Sequence, residues 1–509
     1  MSRRIDIFDT TTRDGEQGSS ITLTPRQKLE IALKSEELGV QIIEVGFGAS
    51  SKGDQESIIL VSREVRTCSI CALSRAVISD IDDCAKVLEG AAQPRIHTGI
   101  GVSQSHIMGK FGDDKYGKTF EEKQDTIFQM GVNAVRHARK SVDDVEFYAE
   151  DSGRAVRDFL YRMLEGVIDA GATVVNIPDT TGYTFPGEFG ALICDIRENV
   201  SNIDKAVISV HGHNDLGMAG GTTIEGILAG AGQFEGTWNG YGERAGSAAL
   251  EEIIMAIHTR GKEFGIYTDA NIKHIKSMSR LVSRIFGVSV PESKPIVGKG
   301  VFDHSSGIHQ DGVLKAKDTY EIMTPQDIGA DDGEIIITAR SGRHALEHCV
   351  TELGYDFTEE QLEMAYGLCM TLADAKDITN SDLEDIAEIV INAPPQNVFS
   401  ILNVSVVDKY HASIFVLLDC ELVHWLGFAP DGPIDAAVQA IRTGTETDFE
   451  IDDYEAHSVG SGSNAPAVVS VRIRHNGKVA HGKWLDTDTV KASVTAYANA
   501  VFSAINTEG

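Results

Sequence analysis

The sequence predicts an α/β protein: a (β/α)8 TIM barrel, then a helical linker subdomain, then a small α+β domain. Three observations predict it. Eight apolar runs recur along roughly the first half of the chain, separated by stretches long enough for one amphipathic helix each, and strand–helix alternation of this kind builds a parallel sheet. Residues able to do chemistry fall at the C-terminal ends of those runs, which is where a closed parallel barrel assembles its active site. Near Pro394-Pro395 the periodicity changes to short alternating strands.

The elements follow in order. Ile5–Thr11 leads into Arg13 and Asp14, Gln41–Gly46 carries Glu44, and Thr67–Leu73 supplies the third strand. Arg95–Val102 contains His97, Asp144–Asp151 ends at Glu150, and Thr173–Thr180 ends at Thr180. Ala206–Val210 precedes His211-Gly-His213, and Gln233–Tyr241 precedes the turn Gly242-Glu243-Arg244-Ala-Gly246. The barrel is expected over 1–272, helical linker subdomains over 273–393, and the α+β domain over 394–509. In the last, Val398–Val407, His411–Leu418, Val468–Arg474 and Lys478–Trp484 alternate like strands. One helix opens at Gly432-Pro-Ile-Asp435 and another runs from Asp488 to Ile505. No repeat beyond the strand–helix alternation is visible. A domain without groups for chemistry suits regulation or dimerisation, a choice that fold alone does not make.

Composition removes several function classes. A net charge of −31 over 509 residues argues against binding nucleic acid or an anionic membrane through the global field. No stretch approaches the roughly 20 apolar residues of a membrane span. The N-terminus runs straight into the first strand without a secretory apolar region, so a cytoplasmic location is expected. Seven scattered cysteines suggest reduced thiols. Cys68-Ser-Ile-Cys71 lacks a second pair and reads as two strand residues pointing to different sides.

His211-Gly-His213 puts two imidazoles on one side of a strand. With Asp14 at the same barrel mouth they form a donor set for a divalent ion, and Mn, Mg and Zn are all compatible. Beside it Arg13 could neutralise a developing oxyanion, or be an inter-strand salt bridge. Glu150 could act as a base or position a water, or cap the next helix. Backbone amides of the 242–246 turn, with Arg244, could hold an anionic group.

At this point a resemblance emerges. Asp9-Thr-Thr-Thr-Arg13-Asp14-Gly15-Glu16-Gln17 resembles the opening motif of the 2-isopropylmalate synthase family, which groups with homocitrate and citramalate synthases. Asn176-Ile-Pro-Asp-Thr180, His211-Gly-His213-Asn-Asp-Leu-Gly, Asn239-Gly-Tyr-Gly-Glu-Arg-Ala-Gly246 and Gly307-Ile-His309-Gln-Asp-Gly312 match in family order. The resemblance implies a transferase that joins acetyl-CoA to a 2-oxo acid by a Claisen-type condensation and then hydrolyses the thioester. It implies metal binding by Asp14, His211 and His213, oxyanion stabilisation by Arg13, and a 2-oxo acid site lined by Glu44, His97 and Thr180. Glu150 would assist acid–base chemistry, and Gly242, Glu243, Arg244 and Gly246 would lie along the acyl-CoA. His309 and Tyr320 would serve a neighbouring subunit's active site, implying a homodimer, and the last domain would be a leucine-sensing regulatory domain.

Departures cluster at the mouth. Ser247 stands where the family usually has Asn, a further metal ligand. Thr222 and Ser305 replace an expected Asn and Glu, and Gly48 replaces Pro. Gly99 replaces Phe, a change that would open on the order of 100 Å3 if nothing refilled it. These changes suggest retained chemistry with an altered substrate. Four readings stay open: 2-isopropylmalate synthesis, a paralogue taking another 2-oxo acid, a retro-aldol lyase, and a non-catalytic amino-acid sensor.

Overall fold

The computed structural model describes residues 2–18, 21–330, 337–374, 376, 378–393, 399–408, 410–418, 421–458 and 465–506. Pro394, Pro395 and Val398, where the sequence pattern changes, lie outside them. The chain forms two compact units, residues 1–302 with 322–332 and residues 303–321 with 333–509.

The first unit is a closed barrel of eight parallel strands: β2 (Asp6–Asp9), β3 (Ile42–Phe47), β4 (Ser69–Arg75), β5 (Pro94–Gly101), β6 (Asp144–Glu150), β7 (Val174–Asp179), β8 (Val207–Gly212) and β9 (Gln233–Gly236). Register Asp6↔Gln233 through Asp9↔Gly236 closes it. A short parallel pair, β1 (Arg3–Arg4) with β10 (Ile266–Tyr267), joins the N-terminus to the end of the unit.

Helices follow the strands: α1 (Pro25–Leu38), α2 (Lys52–Glu64), α3 (Ile78–Val87), α4 (Gln104–Lys110), α5 (Phe120–Ala138), α6 (Arg157–Asp169), α7 (Pro186–Asn199), α8 (Ala219–Ala229) and α9 (Leu250–Phe264). Their starts are written locally. Thr24 and Thr119 each form a reciprocal capping box, with Gln27 and Glu122, which satisfies amides that no helical carbonyl can reach. A tenth helix, α10 (Ile275–Phe286), belongs to the same unit.

Alternation along the strands sorts the side chains. Ile43, Val45, Ile70, Ile96, Phe147 and Val175 are buried in the apolar cluster shared with the helices. The intervening positions carry Glu44, Arg95, His97, Glu146, Gln233 and Glu235, all buried, while Phe8, Ile42 and Cys71 form a small apolar cluster of their own. Period two therefore gives most of these strands one oily side and one side that carries the buried polar groups. The two sides also separate Cys68, which is in the larger cluster, from Cys71. The Cys68 thiol donates to the Val40 carbonyl at 2.9 Å, and Cys68, Cys71, Cys84, Cys194 and Cys369 are free thiols.

A seam closes the barrel chemically. The buried Asp9 carboxylate accepts from the Thr11 amide at 2.9 Å, the Thr11 hydroxyl at 2.5 Å, the Ser35 hydroxyl at 2.6 Å and the Trp238 indole at 3.1 Å. Thr11 in turn accepts from the Trp238 amide at 2.9 Å. First strand, first helix and the loop after the last strand are thus tied to one carboxylate.

The second unit contains α11 (Gly307–Lys315), the helices α12 (Arg343–Glu352), α13 (Glu359–Ala373) and α14 (Asn380–Asn392), and two three-stranded antiparallel sheets. One sheet is β11 (Phe399–Asp408), β12 (His411–Leu418) and β13 (Glu421–Phe428), followed by α15 (Pro433–Thr445). The other is β14 (Glu450–Ser458), β15 (Ala467–His475) and β16 (Lys478–Asp486), followed by α16 (Thr489–Asn506). The order βββα occurs twice, an internal repeat that the sequence reading missed. Two strands were missed with it, and the burial of each explains why. β14 is exposed throughout, so no alternation marks it, and β13 alternates only partly because Leu422, Leu426 and Phe428 are exposed.

The two halves pack alike. A Cβ on Gly427 of β13 would overlap the Ala436 carbonyl oxygen of α15, and one on Gly482 of β16 would overlap the Ala496 carbonyl oxygen of α16. Close strand–helix approach demands glycine at both places. Gly482→Val should therefore lower the unfolding midpoint of this unit, at a cost of about 1–3 kcal/mol. By contrast, Gly367→Ala in α13, where a Cβ meets nothing within 4 Å, should be neutral or stabilise by up to about 1 kcal/mol. Denaturation followed by tryptophan fluorescence checks both, and equal midpoints for Gly482→Val and wild type would refute the packing account.

Candidate metal centre and active site

The turn after β2 is wound tightly: the amides of Arg13, Asp14 and Gly15 all donate to the Thr10 carbonyl, at 3.1, 2.8 and 3.2 Å. That winding aims Asp14 inward. His211 lies in β8 and His213 just beyond it, bridged to Ser247. Asp14, His211 and His213 are buried, and one ligand atom from each lies within 4.8 Å of the others. The two Nε2 atoms are 3.2 Å apart, and Asp14 Oδ2 is 3.9 Å from His211 Nε2.

These residues fit a divalent ion. Asp14 Oδ2 is buried with no hydrogen-bond partner among the described residues, although buried carboxylate oxygens are normally paired. Burial holds both imidazoles below their ordinary range. His213 is pushed down to about 4 by burial and then by His211; His211 is lowered by burial, with Arg13 adding to it against the pull of Asp14. Both rings are therefore neutral near pH 7 and offer lone pairs. The Ser247 hydroxyl donates to the Gly212 carbonyl at 3.3 Å. A Cβ on Gly242 would stand 3.4 Å from Asp14 Oδ2, so the glycine-rich turn passes close to the same carboxylate.

Glu44 organises the neighbouring layer. Its Oε2 accepts from Arg13 Nε at 2.5 Å and from the Thr10 hydroxyl at 2.7 Å, and its Oε1 pairs with His97 Nδ1 at 2.8 Å. Burial works against the charge on both acid and guanidinium. Even so, Arg13 and His97 hold the Glu44 carboxyl well below its usual range, and Glu44, Asp14 and Glu235 hold Arg13 above its own. Arg13 Nη1 also reaches Asp14 Oδ1 at 3.4 Å.

Deeper in the barrel Arg95 Nη1 donates to Glu146 Oε2 at 2.9 Å, and Gln233 Nε2 donates to Glu146 Oε1 at 2.9 Å. Glu235 accepts from Asn176 and lies 3.1 Å from His211 Nδ1. Burial pushes Glu146 and Glu235 up to about 7 each.

The remaining expected residues have definite places. Glu150 ends β6, with both oxygens 2.7 Å from Lys110 Nζ and Oε2 3.4 Å from His106 Nδ1. Burial raises its pKa, but His106 and Lys110 outweigh burial and keep it ionised. The Thr180 hydroxyl accepts from the Asp151 amide at 2.9 Å. Arg244, with a left-handed backbone (φ 56°), donates twice to Asp215, at 2.8 and 2.9 Å, and once to the Thr180 carbonyl at 2.7 Å. Glu243 is exposed beside it, and Gly246 has φ 92°. His309 and Tyr320 belong to the second compact unit, where their rings stack at 4.1 Å.

Sequence reasoning overlooked Glu146, Glu235, Arg95, Asp9, Lys110, Tyr148 and Asp215. A signal for the interior set was present: polar residues at every second position of otherwise apolar runs, as in Arg95-Ile-His97 and Glu146-Phe-Tyr148-Ala-Glu150. The expected void beside Gly99 does not exist, because the Tyr148 ring occupies it.

A barrel with this donor set at its mouth defines the class. The HMGL-like family profile matches residues 4–282, the homocitrate synthase post-HMGL domain-like profile residues 296–377, and the LeuA allosteric (dimerisation) domain profile residues 377–505. The chain belongs to the 2-isopropylmalate synthase family, a family of acetyl-CoA acyltransferases. It is 43% identical to the 2-isopropylmalate synthase of Psychromonas ingrahamii, covering 97% of this chain and 95% of the relative. It is 42% identical to that of Parabacteroides distasonis, covering 98% and 99%. Among solved structures, an HMG-CoA lyase from Acenitobacter baumannii, in complex with coenzyme A and 3-methylmalate, aligns with TM-score 0.47 and 15% identity over 56% of this chain and 92% of that one. Among the described residues no helix is long and apolar enough to cross a membrane.

Two outcomes are expected. Chelator-treated protein should bind one Mn2+ per chain in a calorimetric titration, with Asp14→Asn weakening the affinity by about tenfold or more; unaltered affinity would remove Asp14 from the donor set. Glu146 holds its proton more tightly in the folded chain than its ordinary value of 4.5. Its contribution to stability is therefore complete below about pH 4.5 and lost as pH rises through about 7. The drop in unfolding midpoint between about pH 5 and about pH 7.5 should be smaller for Glu146→Gln than for wild type, and equal drops would contradict the assignment.

Proposed function

We propose that the chain condenses acetyl-CoA with a 2-oxo acid, 3-methyl-2-oxobutanoate, to give 2-isopropylmalate, the first step of leucine biosynthesis. The observation that carries this reading is the buried, unpaired Asp14 oxygen facing two neutral imidazoles, with Arg13 beside it, in a chain whose full-length relatives bear that name. A divalent ion held by Asp14, His211 and His213, with Ser247 or a water completing the set, would supply Lewis acidity; Mn, Mg and Zn all suit two nitrogens and an oxygen.

The chain's own groups do the rest. Glu44 fixes Arg13 as a permanent cation, aimed where the ketone oxygen gains charge as the new C–C bond forms. His97 and Thr180 line the 2-oxo acid with Glu44. Glu150, kept ionised by Lys110 and His106, accepts a proton or orients the water that cleaves the thioester and releases CoA thiol. The turn Gly242, Glu243, Arg244 and Gly246 lies along the acyl-CoA, with Arg244 oriented by its two bonds to Asp215.

His309 and Tyr320 serve the active site of a second copy of the chain, which makes the enzyme a homodimer with shared sites. The dimerisation profile over 377–505 and the exposed apolar row Leu422, Leu426 and Phe428 support association through the C-terminal unit. Leucine is the expected inhibitor at that unit, and the cytoplasm the expected location.

CoA-thiol release from acetyl-CoA with Mn2+ tests the activity. Turnover should require the 2-oxo acid and fall on chelation. Arg13→Ala should lower kcat by about 10²–10³-fold, and Arg13→Lys should not restore it, because a lone ammonium cannot reproduce the guanidinium's contacts to Glu44 and Asp14 at once. Metal-independent turnover, or full activity in Arg13→Ala, would overturn the mechanism.

A further inference from the structure

Lys28, on α1, is a lysine withdrawn from water, with 1% of its surface exposed. A buried ammonium persists only where its charge is balanced and its donors are met. Lysine has three donors, and here each finds an acceptor. Nζ lies 2.6 Å from Glu16 Oε2 and donates to Asp54 Oδ1 at 2.8 Å and to the Val45 carbonyl at 3.1 Å. The three acceptors come from three elements: the turn after β2, the start of α2 and the end of β3.

Two of these elements carry the site. Glu16 lies two residues after Asp14, in the short 3-10 turn Gly15–Gln17. Its other oxygen accepts from the Leu23 amide at 2.8 Å, so the turn is gripped from two sides. Val45 directly follows Glu44. There the register between β3 and β4 steps from Glu44↔Cys71 to Gly46↔Ala72 and skips Val45. Bulges of this kind re-aim side chains beside active sites, and Lys28 binds the carbonyl of the skipped residue.

The third anchor keeps the lysine in place. Asp54 Oδ2 accepts from the Ser50 hydroxyl, and the Asp54 amide donates to the Ser51 hydroxyl at 3.1 Å at the cap of α2. A Cβ on Gly46 would stand 2.9 Å from Asp54 Oδ1, so glycine there leaves room for the ion pair. On α1, Lys28 and Ser35 are seven residues apart and share one face. Ser35 donates to Asp9 at 2.6 Å, so this face holds both the end of β2 and the turn that follows it.

We propose that Lys28 is a positioning residue for the metal centre. Through Glu16 it holds the turn that presents Arg13 and Asp14, and through Val45 the bulge that presents Glu44. It thereby sets the gap between a metal ligand and the acid that fixes Arg13. The inference rests on the reading of Asp14, His211 and His213 as a donor set.

Calorimetric titration of chelator-treated protein with Mn2+, well below the unfolding midpoint of each variant, tests it. Lys28→Met keeps the stem and removes the ammonium. It should weaken Mn2+ affinity by about tenfold or more, as loss of an outer support does at metal sites, and Glu16→Ala should weaken it to a similar degree. Asp54→Asn keeps an oxygen for the lysine and lets the Ser50 hydroxyl reverse its role, so affinity should stay within about threefold. If Lys28→Met does not fold, Glu16→Ala decides. Lowered midpoints with unchanged affinity in Lys28→Met and Glu16→Ala, while Asp14→Asn still weakens binding, would show a lysine that only holds the fold and would overturn the inference alone. Wild type that binds no Mn2+ would overturn the metal centre itself, and the inference with it.

Discussion

The contact between Arg13 and Glu44 is the one on which the site depends. Both groups are withdrawn from water, a placement that costs several kcal/mol per ion unless geometry and further hydrogen bonds offset it. Here they do. Each Glu44 oxygen is engaged, one by Arg13 and Thr10, the other by His97, while the Glu44 carbonyl accepts from the Thr12 hydroxyl at 2.9 Å. The pair fixes the direction of the turn after β2, and the turn fixes Asp14. Remove the acid and a buried guanidinium would be left beside two neutral imidazoles. The same layer explains how a barrel can keep so many carboxyls inside: two arginines neutralise some, and burial leaves Glu146 and Glu235 holding protons near neutral pH.

Much of the barrel was legible because its signals are local. Each strand is an apolar run, and Asp14, Glu150, Thr180, His211 and His213 sit at or just beyond a strand end, so position along the chain translates directly into position at the mouth. Asp14, His211 and His213 could be joined on paper because HxH fixes a side and barrel closure brings the strands round. The interior carboxyls were not legible in that way. Glu146 and Glu235 carry no motif; what identifies them is a partner on another strand, and register is a property of the assembled sheet. The same holds for Tyr148, whose meaning lies in the absence of a side chain at position 99. Lys110 was missed because it arrives on a short helix rather than a strand.

The C-terminal unit shows a different limit. Its repeat is carried by geometry more than by residue identity: Gly427 and Gly482 meet Ala436 and Ala496 in matching fashion, yet β13 exposes Leu422, Leu426 and Phe428 where its counterpart β16 exposes Lys478, Val479 and His481. Two copies of one architecture have taken different surfaces. Sequence periodicity, which reads faces, registers the difference and loses the likeness.

The Asp9 carboxylate bears on how the barrel can come into being. Its four donors come from the turn after the first strand, the first helix and the loop after the last strand, the last separated from the other two by most of the unit's length. A half-barrel fragment would keep the three donors from Thr11 and Ser35 and lose the indole of Trp238. The last of the four bonds forms only when the end of the ring meets its beginning. The chain's two ends of the barrel are thereby made mutually dependent, so a nascent chain still lacking its eighth strand is chemically incomplete at its first.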